Sequence, residues 1–431
     1  MRYERHIFIV LMILCSFVMY GQSPIVITQI HSVQKQLVAE NCKYIIRGSI
    51  NLKGDTLNVP KNSILCFEGG SLSNGQLVYN DTYIDGLPKI NCKCSGTVTN
   101  DKIDLRYYGA QLNGMDDTEA FQQTINSVPE HSVVYLPAGK KMMLKSKIVI
   151  DKNLNLEING TICLLDNGSL SFGTKDKIIE LNEFKIHRII GDGPKGNCIA
   201  LDMVNARFNN FNIVGIQDVK YAIAFNLQEQ SQSIGQNIFT FNQIYNCDKG
   251  IYFHQFDTFD KAVWAEGNQF MAGFLGKCNI GLEIERNIKA GCTIYQGCID
   301  CMEVENSHDI VDNSNTQSYH MPNLYICNFV RKKTCILPSQ ATMIETQSGI
   351  TTQGFITSHS GVECTSRGTG TYLGAGCIEI IHPEHPYIDF KTDANKDRDS
   401  RLISTEDSLT IQVGQSTKNN SISRTFKKNS R

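Results

Sequence analysis

The chain has 431 residues, of which 41% are hydrophobic and 19% are charged, with a formal net charge of −2. This near-neutral balance gives no general attraction to polyanions, so nucleic acid is not expected as a partner. A length of 431 residues would suit several ordinary domains, but a solenoid grows along one axis and can use such a length as a single unit.

The amino terminus has the pattern of an export signal. An apolar run, Ile7 to Tyr20, follows a basic start and precedes Gly21, and it is too short to span a bilayer stably. We predict that residues 1–21 are removed and that the mature protein is secreted, periplasmic or at the cell surface. Lipoprotein processing at Cys15 remains the alternative. No later stretch predicts a membrane span.

Residues 22–102 show the rhythm of short strands separated by glycine turns. The predicted strands are Tyr44–Leu52, Ser63–Gly70, Gly75–Tyr79 and Thr82–Ile84. Gly-Asp, Gly-Gly, Asn-Gly and Asp-Gly pairs are typical of turns in all-β domains. We expect these residues to form coils that cover one end of a longer solenoid, because an open end would expose unpaired strand edges.

The next segment carries the most specific motifs of the chain. They are Ile103–Ala110, Asn113–Phe121, Val133–Gly139 and Ile148–Ile150. They occur in a fixed order: a strand ending in Gly-Ala, a loop with Asp-Gly and Asp-Asp-Thr, a short helix, and a strand closing in Leu-Pro-x-Gly. This order resembles the opening of the pectate-lyase-like β-helix family, which includes rhamnogalacturonase- and epimerase-type proteins. Independently of the resemblance, Asp116 or Asp117 is placed to cap a helix near residues 117–126.

A repeat of 31 residues follows. Asn237, Phe239, Cys247 and Gly250 recur as Asn268, Phe270, Cys278 and Gly281, each 31 positions later. A period of this length, made of short strands and turns, indicates coils that bury their apolar face by stacking on their neighbours. We expect Phe239 to meet Phe270, asparagines to stack at the turns, and Cys247 to meet Cys278 as stacked thiols, with a disulfide as the alternative.

These patterns together predict an all-β fold, a right-handed parallel β-helix with one short α-helix. The β-helix is expected over residues 103–390, and residues 391–431 are expected to be a polar, partly disordered tail. Asp393, Asn395, Asp397 and Asp399 have the alternation of a calcium loop, but Arg398 and Ser404 occupy positions that need Gly and Glu. No cofactor or metal is therefore expected, and calcium remains a minor alternative.

The candidate active site is the segment between the two copies of the repeat. It holds His254, Asp257, Asp260, Lys261 and Glu266 as catalytic candidates and Trp264 as a substrate-binding candidate. Arg286, which follows the second copy, is a further substrate-binding candidate. Trp264 is the only tryptophan, and an indole can stack on a sugar ring. Paired carboxylates could cleave a glycosidic bond, whereas a Lys or His could remove the C5 proton of a uronate. We expect this segment to lie outside the regular coil. The alternative is that Trp264 fills a core edge and that turn amides hold Glu266.

Two functions therefore stay open. The first is an exported polysaccharide lyase or glycoside hydrolase that acts on acidic or complex glycans, as the family resemblance implies. The second is a non-catalytic β-helix that binds glycan or forms a surface or tail-fibre-like assembly. A homotrimer is one candidate for the assembly state. The catalytic motifs of the polygalacturonase-type and calcium-dependent relatives do not occur in this chain, so no catalytic residue can be assigned from the resemblance.

Overall fold

The computed structural model describes most of the first 313 residues and shorter stretches beyond them. The described ranges are 23–29, 32–227, 233–255, 263–285, 288–289, 292–301, 303–313, 323–327, 335–336, 342–345, 370–374, 377–381, 387–390, 400–404, 408–413 and 422–427. The chain divides into two compact units, Met1–Met321 with Val330–Pro338, and Pro322–Phe329 with Ser339–Arg431. The structure is all-β with long parallel sheets, which confirms the predicted all-β class and is compatible with a parallel β-helix.

The first sheet of the first unit contains the amino-terminal strands. They are β1 Ile25–Ile27, β2 Lys43–Ile46, β3 Ser49–Asn51, β4 Thr56–Asn58, β5 Ile64–Phe67, β6 Ser71–Gly86 and β7 Lys89–Val98, and a 3-10 turn spans Gln34–Gln36. The Asn-Gly pair at Asn74 and Gly75 was expected to separate two strands, but β6 runs through it. Asn74 takes a left-handed φ of 58°, and a Cβ at Gly75 would lie 2.5 Å from the Asp55 carbonyl oxygen. The pair therefore bends β6 over β3 and β4 without ending it.

The one α-helix among the described residues confirms the predicted position. After β8 Lys102–Asp104, the 3-10 turn Leu105–Tyr108 and β9 Asn113–Asp116, helix α1 spans Thr118–Ser127 and buries Phe121 and Ile125. The two aspartates have different roles. Asp116 accepts from the Thr118 backbone N–H at 3.0 Å, whereas Asp117 accepts from the Gln111 N–H at 2.7 Å. Asp117 therefore holds the preceding loop and does not cap the helix with its side chain.

Successive passes of the chain then contribute strands to three sets of parallel strands. The long sheet contains β10 Val133–Leu136, β11 Lys141–Leu144, β13 Asn155–Leu164, β16 Glu183–Ile190, β19 Asn210–Gln217, β22 Ile238–Tyr245, β25 Gln269–Gly276 and β28 Ile294–Asp300, together with β8 and β9. The second sheet contains β12 Lys147–Ile150, β14 Ser169–Phe172, β17 Ile199–Met203, β20 Tyr221–Leu227, β23 Lys249–Gln255, β26 Ile280–Ile284 and β29 His308–Asp312. The short strands between them are β15 Ile179–Glu180, β18 Ala206–Arg207, β21 Ile234–Gly235, β24 Val263–Trp264 and β27 Ile288–Lys289.

The 31-residue repeat is explained by in-register stacking of side chains. Phe239 pairs with Phe270 across β22 and β25, with ring centroids 5.0 Å apart and planes 12° apart. Phe211 stacks on Phe239 from the preceding pass at 4.7 Å, and all three side chains are fully buried. Gly250 recurs because a Cβ there would lie 2.5 Å from the Gly281 carbonyl oxygen. The predicted contact between equivalent residues of neighbouring passes is confirmed.

A ladder of buried asparagines marks the turn before each strand of the long sheet. Its core members are Asn182, Asn209, Asn237 and Asn268, separated by 27, 28 and 31 residues. The amide nitrogen of each donates to the next member's Oδ1 at 2.9 Å, 3.1 Å and 3.1 Å. The expected asparagine stacking is confirmed. It satisfies backbone groups that the turns would otherwise bury without partners.

Three cysteines form a second ladder. Cys247, Cys278 and Cys301 are buried free thiols, and hydrogen bonding to Cys247 is the main reason that the pKa of the Cys278 thiol is raised well above its usual value. The expected stacked thiols, and not the alternative disulfide, therefore describe Cys247 and Cys278. Their side chains pack as small hydrophobic groups.

The second unit contains β30 Leu324–Cys327, β31 Thr342–Glu345, β32 Gly370–Gly374, β33 Cys377–Ile381, β34 Tyr387–Phe390, β35 Ser400–Ser404, β36 Ser408–Val413 and β37 Ile422–Lys427. β30 and β31 are parallel, β32 and β33 form an antiparallel pair, and β34 to β37 form an antiparallel sheet. Strands thus occur within residues 391–431, where composition predicted partial disorder. The calcium-like segment 393–399 lies outside the described residues.

Candidate functional site

The predicted site residues lie on different elements. His254 is near the end of β23, Glu266 follows β24, and Trp264 belongs to β24. Asp257, Asp260, Lys261 and Arg286 lie outside the described residues.

The structure differs from the expectation that this whole segment lies outside the regular coil at His254, which lies within β23 of the second sheet, and at Trp264. Val263 and Trp264 pair in parallel with Ile288 and Lys289, so the backbone of Trp264 is part of a strand pair. The next residue, Ala265, is fully buried. The sequence offered no signal for this because a two-residue strand is too short to show a period.

Glu266 is held in the turn that leads to β25. Its backbone carbonyl accepts from the Gln236 N–H at 2.8 Å, and one of its carboxylate oxygens is buried. This position in a turn is closer to the structural alternative considered for Glu266 than to an open catalytic carboxylate.

A polar cluster surrounds His254 on the outer face of the second sheet. We call it the Tyr252 cluster, and its members are Lys249, Tyr252, His254, Glu283 and Glu285. Alternation along β23 places Tyr252 and His254 on this face, since Ile251 and Phe253 point into the core and are fully buried. Lys249 joins the cluster through its side-chain contact with Glu283. β26 pairs with β23 in register, with Tyr252 opposite Glu283.

Three side chains of the cluster form a closed hydrogen-bonded triangle. The Tyr252 hydroxyl donates to Glu285 Oε1 and lies 2.7 Å from His254 Nδ1. His254 Nδ1 lies 3.0 Å from Glu285 Oε2. Tyr252 is only 4% exposed, whereas the side chains of His254 and Glu285 are 33% and 29% exposed. The imidazole and the carboxylate are therefore the parts of the triangle that a bound molecule can reach.

The hydrogen bonds fix where the protons lie. Burial, followed by the hydrogen bond to Glu285, raises the pKa of Tyr252 far above its usual value, so the phenol keeps its proton. With the phenol donating to an ionised Glu285, the remaining carboxylate oxygen accepts from Nδ1–H of His254. This assigns the Nδ1–H tautomer, in which Nε2 carries the lone pair of the neutral imidazole.

The other half of the cluster is an ion pair. Lys249 Nζ lies 2.7 Å from Glu283 Oε2, and their side chains are 17% and 15% exposed. The same ammonium lies 3.5 Å from the centroid of the Tyr252 ring, a cation–π contact that is stronger when partly desolvated. Lys249 therefore connects Glu283 to the ring that supports the His254 triangle.

A second ion pair lies on neighbouring strands of the same sheet. Asp202, on β17, is fully buried and accepts from Lys147 Nζ at 2.8 Å. Its other oxygen accepts from Asn226 Nδ2 at 3.2 Å, and Asn226 pairs with His254 in register. Polar side chains thus continue from β17 to β26 across the outer face of the second sheet.

Sequence reasoning found His254 but missed Tyr252, Glu283 and Glu285. The signal was the repeat itself, because Tyr252 and Glu283, and likewise His254 and Glu285, are 31 positions apart. That spacing places each pair on neighbouring strands.

The described residues contain no group of three or more His, Cys, Asp or Glu side chains arranged to hold a metal ion. Within the same residues, no helix has the length and apolar character needed to cross a membrane. Comparison with known proteins finds no matching family model, no similar curated protein and no similar solved structure. Any function must therefore be argued from the chemistry of the Tyr252 cluster and the architecture that presents it.

Proposed function

We propose that this chain is an exported polysaccharide-processing enzyme built on a right-handed parallel β-helix of the pectate-lyase-like kind. The fold part of the proposal is supported by the in-register sheets, the asparagine and phenylalanine ladders, and the family-like motifs between Ile103 and Ile150. The export part rests on the signal-like residues 1–21.

The single observation that carries the enzymatic part is the triangle of Tyr252, His254 and Glu285. A histidine oriented by a carboxylate through Nδ1 is suited to accept a proton at Nε2 and to return it. Glu285 also stabilises the imidazolium that forms when the proton is accepted. The triangle lies on the face of a parallel sheet, which presents evenly spaced side chains to an extended polymer.

Elimination is the reaction that this arrangement favours. His254 takes the C5 proton of a uronate, the electron pair forms the C4–C5 double bond, the C4–O bond breaks, and the leaving oxygen receives a proton. Hydrolysis needs two carboxyl groups that reach the glycosidic bond. Glu283 is 15% exposed and paired with Lys249, and Glu285 is bonded to Tyr252 and His254, so neither carboxylate is well placed for that role.

The second candidate is a glycan-binding or structural β-helix without catalysis. It is favoured by the mutual satisfaction of the polar groups in the Tyr252 cluster, which is also how a structural polar cluster is built. Trp264 and Arg286 remain proposed substrate contacts in either case, with an acidic or complex polysaccharide as the partner.

The test is to incubate the mature chain, from Gln22, with a panel of uronate-containing and neutral polysaccharides. Ultraviolet absorbance of the unsaturated product would report elimination, and reducing ends without that absorbance would report hydrolysis. We expect His254→Ala to lower kcat by about 10²- to 10⁴-fold, the usual contribution of a general acid–base group.

Tyr252→Phe is expected to lower kcat by roughly tenfold, because Glu285 loses the hydrogen bond that positions it. Tyr135→Phe is the matched control, since the partly exposed Tyr135 ring also has a lysine beside it, Lys102 at 5.4 Å, but belongs to β10 of the long sheet. Turnover that is unchanged in His254→Ala would contradict the proposed role. Binding without any product would favour the non-catalytic candidate.

A further inference from the structure

The outer face of the long sheet changes character along the stack. On β16 it carries Glu183, Lys185, His187 and Arg188. The next four strands of the stack, β19, β22, β25 and β28, contain no charged residue before Asp300, the last residue of β28. An uncharged surface four strands wide stands out in a chain that is 19% charged. We call the outward-facing residues of these four strands the amide face.

Amides and larger apolar groups occupy the amide face in registered rows. One row runs through Asn212, Thr240, Met271 and Gln296. Asn212 and Gln296 are exposed, and Met271 is 46% exposed. Neighbouring strands are about 4.8 Å apart, so the row is roughly 14 Å long.

A second row adds an aromatic group beside an amide. Gln243 on β22 pairs with Phe274 on β25, and the Phe274 ring lies 6.4 Å from that of Tyr245 with the planes tilted by 31°. Gln243 is exposed, and both rings are partly exposed. The face therefore offers side-chain amides, which both donate and accept, next to rings that can lie against an apolar surface.

We propose that the amide face is a second glycan-binding surface, separate from the Tyr252 cluster, and that it binds neutral polysaccharide. A sugar ring has hydroxyl groups at its edge and C–H groups on its faces, which match amides and aromatic rings respectively. Acidic glycans and nucleic acids would need several cations, whereas these four strands contain none; Lys277, just beyond β25, lies 5.5 Å from the centroid of the Tyr245 ring. The face also exposes Val214, Ile238 and Met271, so a contact between copies of the chain is the competing occupant, and the sedimentation measurement below separates the two.

The surface is independent of the proposed enzymatic function, because it lies on the long sheet and the Tyr252 cluster lies on the second sheet. The test is affinity electrophoresis of the full mature chain in gels containing a neutral galactan or glucan, with polygalacturonate as the acidic comparison. We expect retardation by a neutral polymer that Met271→Lys weakens by at least about tenfold in Kd, the equivalent of about 1.4 kcal/mol.

Asn212→Lys provides a second variant at an exposed position of the same row, so that a folding defect in one variant does not decide the result. Lys185→Met is the matched control, because Lys185 pairs with Asn212 on the charged side of the same sheet. Weakening in both lysine variants and not in the control would support the proposal.

Three results would overturn it: no retardation by either neutral polymer, retardation that both lysine variants retain, or concentration-dependent self-association of the wild type in sedimentation velocity that Met271→Lys abolishes. The last result would identify the amide face as a contact between copies of the chain. None of these outcomes alters the test of His254, because turnover is measured with separate variants and a separate readout.

Discussion

The asparagine ladder provides the sharpest prediction of stability. Asn237 is fully buried, and its Oδ1 accepts from the backbone N–H and the side-chain amide of Asn209, both at 3.1 Å. Its own amide nitrogen donates to the Ala206 carbonyl at 2.9 Å and to Asn268 Oδ1 at 3.1 Å. Asn237→Ala removes all four hydrogen bonds and leaves polar groups of the neighbouring turns buried.

The magnitude follows from the groups that lose a partner. Each buried donor or acceptor left unsatisfied costs about 1–3 kcal/mol, and the truncation affects at least the Asn209 N–H and one further donor on the Asn209 amide. Allowing for relaxation of the turn, we expect Asn237→Ala to lower the free energy of unfolding by about 2–5 kcal/mol. Exposed Asn210, at the start of β19, provides the control Asn210→Ala, which we expect to change stability by about 0.5 kcal/mol or less.

The assay is urea unfolding followed by circular dichroism, with the m-value compared between variants to detect a change in the unfolding unit. Hydrogen exchange at the Asn209 amide offers a local readout, because that N–H would lose its acceptor. A loss below about 1 kcal/mol, equal to that of Asn210→Ala, would refute the view that the ladder satisfies otherwise buried turn groups.

Two further predictions concern burial. Cys278 is fully buried with a raised pKa, whereas Cys292 is exposed. Iodoacetamide at neutral pH should therefore modify Cys292 in the folded protein and Cys278 only after unfolding. Equal modification of the two cysteines without denaturant, measured by peptide mass spectrometry, would contradict this prediction. Burial raises the pKa of Asp117 above its usual value despite the N–H donors around it, which means that the folded state binds this proton more tightly than the unfolded state. Its contribution to stability is therefore present at low pH and is lost as pH rises through the folded pKa. The urea midpoint of the wild type should therefore increase relative to that of Asp117→Asn as pH falls from about 6 to about 3. A difference between the two midpoints that does not change with pH would be evidence against the raised pKa of Asp117.

The family-like segment and the repeat show how far local patterns reach. Helix α1 begins within one residue of the predicted position because an aspartate-rich start and a buried apolar face are local features. The contact between Phe239 and Phe270 was predictable because a repeat of identical residues places equivalent side chains on neighbouring passes. The predicted strand boundary at the Asn-Gly pair of Asn74 and Gly75 was wrong, because the same dipeptide can end a strand or bend one.

The candidate site was predicted less well than the fold. The concentration of charge and the tryptophan predicted a site in the segment between the two copies. The Tyr252 cluster instead consists mainly of outward-facing residues on or next to β23 and β26. Tyr252, within β23, and Glu285, directly after β26, are unremarkable in the local sequence. They become a site only when β23 and β26 lie side by side and bring the phenol, the carboxylate and the imidazole of His254 within hydrogen-bonding distance.

By itself, the sequence determined that this chain would form short strands in a repeating order, with ladders of buried aromatic and asparagine side chains. Periodicity and turn residues reveal these features because they depend on residues that are close together along the chain. The tertiary structure alone decided which polar side chains meet, how deeply each is buried, and that the charged outer face of β16 borders the uncharged outer faces of β19, β22 and β25. Those properties depend on the register between residues roughly 30 positions apart, and register is set by the packing of the whole stack.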